Sequence, residues 1–295
     1  MALVTHIDRK SLTEIPARRK FLNKIFGSVC LVATMIGVVM LAVLLYQVFA
    51  DGSSYLQPKL FQNFASRRPS AAGIKAAIVG SVYIMGLTAL ISVPIGVAAA
   101  IYLEEFVRRK TRLIQWIEIN ISNLAGVPSI VYGILGLTVF VRWLALDRSI
   151  ISGALTMSLL ILPMLISVTQ EALKAVPPSF REASFGLGAT DWQTIRFQVL
   201  PNAASGIFTG IILALSRAIG ETAPLIMIGA VSYIAFLPNG LSDSFTVLPI
   251  QIYNWIQLPK EEFHKLAAAA IIVLLAVLLL LNSIAIYLRI RTSKK

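Results

Sequence analysis

The stretch PPSFREASFGLGATDWQTIRFQVLPNAASGIFTGIILALSRAIGETAPL, residues 177–225, decides the fold. Its first half is too polar to lie in lipid, and its second half is an apolar helix that still carries Arg217 and Glu221. Pro177 and Pro178 end any helix that reaches them, because proline lacks the amide hydrogen and clashes with the preceding turn. Ser179 and Glu182 have the spacing of a capping box, and Phe180, Ala183 and Leu187 then share one apolar face. Gly186 and Gly188 are expected to close this short helix. Thr190 and Gln193 repeat the box, and Trp192, Ile195 and Val199 repeat the one-face spacing. Leu200–Pro201 is expected to stop the second helix before the next apolar span. Two short capped helices suit either a lever that docks into another protein or a connection lying on lipid headgroups.

Working outward, the rest of the chain is a membrane protein. It has 295 residues, 57% of them hydrophobic and 14% charged, with a mean hydropathy of +0.80. A bilayer-spanning helix needs roughly 20 apolar residues. Six segments qualify: Gly27 to Ala50, Ala76 to Leu103, Val127 to Leu146, Ile151 to Thr169, Ala204 to Phe236 and Leu266 to Leu288. The expected class is therefore all-α and polytopic, with six transmembrane helices. The fifth segment is longer than a bilayer needs and contains Gly220 and Pro224, so it is tilted, broken or continued outside. An amphipathic piece with Trp116 and Glu118 precedes the third, which is expected to begin at Pro128.

The net charge of +12 does not mark a nucleic-acid binder, because the basic residues sit in short clusters between apolar runs. Arg9, Lys10, Arg18, Arg19, Lys20 and Lys24 precede the first span. Arg108, Arg109, Lys110 and Arg112 follow the second, and Arg289, Arg291, Lys294 and Lys295 end the chain. Arg67 and Arg68 run against this trend, yet the balance puts both termini and the 177–201 loop in the cytoplasm. The expected organisation is a cytoplasmic arm over 1–26, a first transmembrane helix over 27–50, a transmembrane domain over 76–288 and a cytoplasmic tail over 289–295.

Several chemistries are not expected. Cys30 is the only cysteine, and His6 and His264 have no neighbours in sequence that suggest a metal site. Neither Lys10–Ser11 nor Lys110–Thr111 has the glycines of a phosphate-cradling nucleotide loop before it. No catalytic residues and no cofactor are expected, so any ATP-driven work would need another chain.

An arginine or glutamate in the middle of a spanning helix costs about 2.5–3.5 kcal/mol on insertion scales, so it faces protein or water. Arg217 and Glu221 are four apart and can pair along one face. Gly206, Gly210 and Ala214 continue that face, and the glycines have G-x-x-x-G spacing for close helix packing. Two readings are open: Arg217 lines an anion path, or the pair is a salt bridge that fixes this helix against a neighbour. The planar fork of arginine suits phosphate oxygens.

The 177–201 loop resembles the EAA loop of ABC importer permeases. Glu182, Ala183, Ser184, Gly188, Gln198, Leu200 and Pro201 stand in its register, with Ser184 in place of alanine and Gln198 in place of isoleucine. The resemblance makes Glu182, Ala183, Ser184, Gly188, Leu200 and Pro201 the coupling residues to an ATP-binding subunit. Residues 217–225, RAIGETAPL, are similar to the fifth-span signature of bacterial phosphate importer permeases, the A-type more than the C-type. Residues 101–105, 124–131, 248–255 and 261–267 agree with it. The resemblance implies a type I importer permease (MetI-like) fold in the bacterial cytoplasmic membrane, with Arg217, Glu221 and Thr222 on the substrate path. Implied partners are a C-type permease subunit, two ATP-binding subunits, a periplasmic or lipid-anchored phosphate-binding protein and inorganic phosphate. The rivals are a permease for sulfate, molybdate or phosphonate, a stand-alone secondary transporter, and a structural or phosphate-sensing membrane subunit.

Overall fold

The structure is a computed structural model that describes residues 17–107, 109, 111–230 and 233–293. The expectations drawn on His6, Arg9, Lys10, Arg108, Lys110, Lys294 and Lys295 lie outside these residues. The chain divides into two compact units, Met1–Ala50 and Asp51–Lys295. The first is dominated by helix α1 (Ala17–Gly52), on which Phe26, Leu31, Ile36 and Leu41 are all exposed. A helix that is apolar around its circumference has lipid as its solvent.

In the second unit every regular element among the described residues is a helix. It runs α2 (Pro58–Gln62), α3 (Lys75–Ile101), α4 (Arg112–Leu124), α5 (Ser129–Gly136), α6 (Ile150–Lys174) and α7 (Pro178–Gly186). There follow α8 (Asp191–Thr194), α9 (Leu200–Ile219), α10 (Ala223–Ile228), α11 (Leu248–Ile256) and α12 (Glu261–Ser293). Wide turns with bonds to the fifth residue back extend α3 through Tyr102–Phe106 and α5 through Leu137–Trp143, and join α8 to α9 through Ile195–Val199. Among the described residues, five helices are long and apolar enough to cross a membrane, or six if α4 and α5 form one broken span.

The third expected span lies in that pair, in two pieces. The helix begins at Ser129 after Pro128, but Ser129–Trp143 covers only about 22 Å, short of the roughly 30 Å hydrocarbon core. It meets α4 at a bend of 104°. The Tyr132 hydroxyl donates to the Leu124 carbonyl across this bend at 2.8 Å. As expected, α4 is amphipathic: Ile114, Ile117 and Ile121 pack on Ala100, Leu103 and Ile166, while Leu113 and Trp116 remain exposed.

The fifth span is corrected. It is not Ala204 to Phe236 but a helix running from Asp191 to Ile219. Leu200–Pro201 does not stop it. The Leu200 amide donates to the Ile195 carbonyl, five residues back, so the helix is already widened where the proline ring enters. The helix ends at Gly220, and the short α10 follows, closed by Gly229 in the left-handed region at φ 91°.

α6 is the hub of the second unit, packing on α3, α5 and α9 with Met157, Leu165 and Leu173 fully buried. Where α3 meets α6, the polar groups bond at once to backbone. Ser158 Oγ donates to the Ala154 carbonyl at 2.7 Å and Ser92 Oγ to the Thr88 carbonyl at 2.7 Å. Hydroxyls satisfied on their own helix, with Gly96 seated against Leu165, let two spans approach closely without relying on hydrophobic burial.

Candidate functional site

Two polar features interrupt the apolar bundle, and one continuous helix joins them. The first is the α7–α8 hairpin. α7 does not begin with the expected capping box at Ser179 and Glu182. Its N-cap is Pro177 with no side-chain cap, and Pro178 occupies the first turn, where its fixed φ already suits a helix. The second box is present: the Thr190 amide donates to Gln193 Oε1 at 2.9 Å, and the Gln193 amide to Thr190 Oγ1 at 3.3 Å. Gly188 makes the turn between them at φ 82°.

Each predicted coupling residue has a distinct setting. Glu182 and Ala183 are exposed on α7. Ser184 turns inward, its hydroxyl 2.9 Å from that of the buried Thr194. Leu200 packs on the cluster of Leu173, Val176, Val199 and Ala203, whereas Pro201 is exposed. Phe180, Ala183, Leu187, Phe197 and Gln198 line an open groove, with Leu187 90% exposed. Gln198, where the EAA pattern has isoleucine, is thus an exposed residue of the groove. Ile195 and Val199 are buried as expected of an inner face, but Trp192 is exposed. Exposed apolar side chains thus lie beside the polar hairpin, on the face that would meet either a protein or lipid headgroups.

Arg181 and Glu105 are functional candidates that motif spacing did not bring forward. Arg181 Nε donates to Glu105 Oε2 at 3.1 Å and Nη2 to Oε1 at 2.6 Å. Hydrogen bonding to Glu105 raises the guanidinium pKa above its already high value, so Arg181 is charged at every accessible pH. The available signal was two adjacent acids, Glu104 and Glu105, at the end of an apolar span. Their partners lie too far along the chain for any local pattern to reveal.

The second feature is the end of α9. Arg217 Nε lies 3.6 Å from Glu221 Oε1, with the Arg217 side chain 56% exposed and that of Glu221 18%. Gly210 meets Val168 and Gly206 meets Ala172, both on α6, and Ala214 is fully buried. On its other flank α9 is tied to α12 by Ser216 Oγ, which donates to Asn282 Oδ1 at 3.0 Å. Arg217 stands at the border of the α6-facing stripe and bonds no other helix among the described residues. Thr222 lies in the break after Ile219, partly buried, and its carbonyl accepts from the Ile226 amide at 3.0 Å. α10 then docks on α5, where Gly133 leaves room for Pro224.

A polar hairpin leads into a charged, broken span, and the sequence that carries both matches a known family. The profile of the family described as "Binding-protein-dependent transport system inner membrane component" matches residues 92–294. The chain belongs to this family. The phosphate transport system permease protein PstA of Haemophilus influenzae is 32% identical to it over 251 residues, 85% of this chain and 88% of the relative. PstA of Pasteurella multocida is 30% identical over 269 residues, 90% and 94% of the two chains. The resemblance drawn from the fifth-span signature is borne out by these relatives.

The family fold is also that of solved structures. Inward-facing conformations of the MetNI methionine ABC transporter match with a TM-score of 0.62 at 15% identity, covering 74% of this chain and 97% of that one. A bacterial ABC transporter importing the acidic polysaccharide alginate matches at 0.59 and 17%, covering 92% and 99%. At such identities the likeness concerns the fold, which is the expected MetI-like permease fold.

Proposed function

We propose that this chain is the membrane-spanning permease subunit of an ATP-driven inorganic phosphate importer. It forms half of the translocation path beside a C-type permease subunit. It couples through the α7–α8 hairpin to two ATP-binding subunits and receives phosphate from a periplasmic or lipid-anchored binding protein. Both termini and the hairpin lie in the cytoplasm, as the distribution of Lys and Arg favours.

The observation that carries this reading is Arg217. Its guanidinium lies on an apolar helix, more than half exposed, with Glu221 as its only ionic partner among the described residues. Lipid is a costly neighbour for such a group, so the exposed side faces water or the partner permease. The fork of arginine can donate two bonds to neighbouring phosphate oxygens, and Glu221 orients it while limiting how tightly it holds the anion. The names of the full-length relatives support phosphate as the anion. Glu182, Ala183 and the groove beside Leu187 are the surface offered to the ATP-binding subunit.

The test is uptake of radiolabelled phosphate by proteoliposomes holding the complete complex and ATP. Arg217→Ala is expected to abolish uptake while the complex still assembles. Wild-type uptake by that variant, or displacement of phosphate by sulfate, molybdate or phosphonate at equal concentration, would overturn the reading.

A further inference from the structure

The chain ties the hairpin to the bundle at both ends, entering α7 from α6 and leaving α8 into α9. A side-chain tie adds to these: Arg181 on Glu105, 76 positions apart in sequence. Glu105 lies in the wide turn that ends α3, its side chain only 8% exposed, and both of its oxygens accept from Arg181. Arg181 donates its other bonds to the carbonyls of Leu173 at 3.0 Å and Val176 at 2.9 Å, at the end of α6. Helix ends leave such carbonyls without intrahelical partners. One guanidinium thus holds α7 to both α3 and α6. Lys174 on Glu104, at 3.4 Å, joins the same two spans beside it.

α3 is gripped at its other end as well. The Leu248 amide donates to Ser81 Oγ at 3.0 Å. Gly80 lies so close to the Thr246 carbonyl oxygen that a Cβ there would overlap it. The helix Lys75–Phe106 therefore has the hairpin fixed at one end and the entry to α11 at the other. A bidentate pair resists rotation as well as separation, because its two parallel bonds fix a plane.

We propose that Arg181 and Glu105 are positioning residues that make α3 the rod between the hairpin and the opposite face of the bundle. Displacement of α7 is delivered through α3 to the Thr246–Leu248 segment, in parallel with the chain path into α9. This rests on the proposed function in taking α7 as the contact with the ATP-binding subunits.

The experiment uses the complete complex in proteoliposomes, with Cys30→Ser and a reporter cysteine at the exposed Ser242. Two quantities are read: phosphate transported per ATP hydrolysed, and the change in maleimide labelling of the reporter on adding ATP. Glu105→Gln and Arg181→Lys keep the bulk of each side chain while losing the charge or the fork. Both variants are expected to assemble and hydrolyse ATP, to transport at least about fivefold less phosphate per ATP, and to lose the ATP-dependent labelling change. A role confined to stability would lower the amount of complex and leave both ratios unchanged. Unchanged ratios overturn the proposal, and so does failure of Glu105→Gln to assemble, which would make the pair a folding element. If the parent complex moves no phosphate, the substrate assignment fails, and the labelling change still decides the role of the pair.

Discussion

Ser184 and Thr194 face each other across the hairpin with their hydroxyls 2.9 Å apart, joining α7 to the segment that becomes α9. The position where the EAA pattern has alanine thus carries a cross-link. A neutral hydrogen bond of this kind contributes about 1 kcal/mol. Ser184→Ala is expected to lower hairpin stability by about that amount and Thr194→Val by the same or slightly more, with little further loss in the double variant. Hydrogen exchange over residues 183–194 in lipid nanodiscs measures it, and full additivity would disprove the link.

Glu221 restrains Arg217 at 3.6 Å. Glu221→Gln removes that competing charge from beside the proposed anion contact. The half-saturating phosphate concentration is expected to fall and the maximal uptake rate to fall with it, because a more tightly held anion is released more slowly. Uptake measured over a range of phosphate concentrations separates the two effects. A rise in the maximal rate would contradict the restraining role.

Gly210 and Gly186 give opposite forecasts for the same substitution. A Cβ at Gly210 would overlap Val168, so Gly210→Ala is expected to cost about 1–3 kcal/mol through forced separation of α9 from α6. Gly186 is the last residue of α7 with open space around it, and Gly186→Ala is expected to stabilise by up to about 1 kcal/mol. Thermal unfolding of the purified complex in one detergent compares them directly.

Gly188 has open space too, but a φ of 82°. Its constraint is conformational rather than steric crowding. Gly188→Ala is expected to cost about 1–2 kcal/mol, and Gly188→Asn less, since asparagine tolerates the left-handed region. The fraction of ATP-binding subunit retained on copurification should follow the same order: glycine, asparagine, alanine.

What rests on neighbouring residue types is mostly as expected, the Ser179–Glu182 box being the exception: Pro178 takes the first turn there and no side chain caps it. The apolar runs of α1, α3, α6 and α12, the Thr190–Gln193 box and the turn at Gly188 each depend on neighbours within four residues. The errors have physical causes of longer range or finer grain. The break at Gly220 is one that the over-long fifth segment allowed for; what averaged hydropathy missed is that the helix starts as far back as Asp191. The 104° bend between α4 and α5 is an angle, which no hydropathy pattern records. Pro201 looked like a stop because the widened turn ahead of it depends on which carbonyl Leu200 selects. The Arg181–Glu105 pair forms only once α3 and α7 have met.

That widened turn, Ile195–Val199, amounts to one surplus residue in an otherwise regular helix. A wide turn takes up such a residue locally, and deleting it would return the segment to bonds to the fourth residue back. The ring of Pro201 would then meet the carbonyl one turn below it, with no slack to part them. The spare residue is thus what admits a proline into the middle of one unbroken helix, and its deletion would put a kink between the hairpin and Arg217.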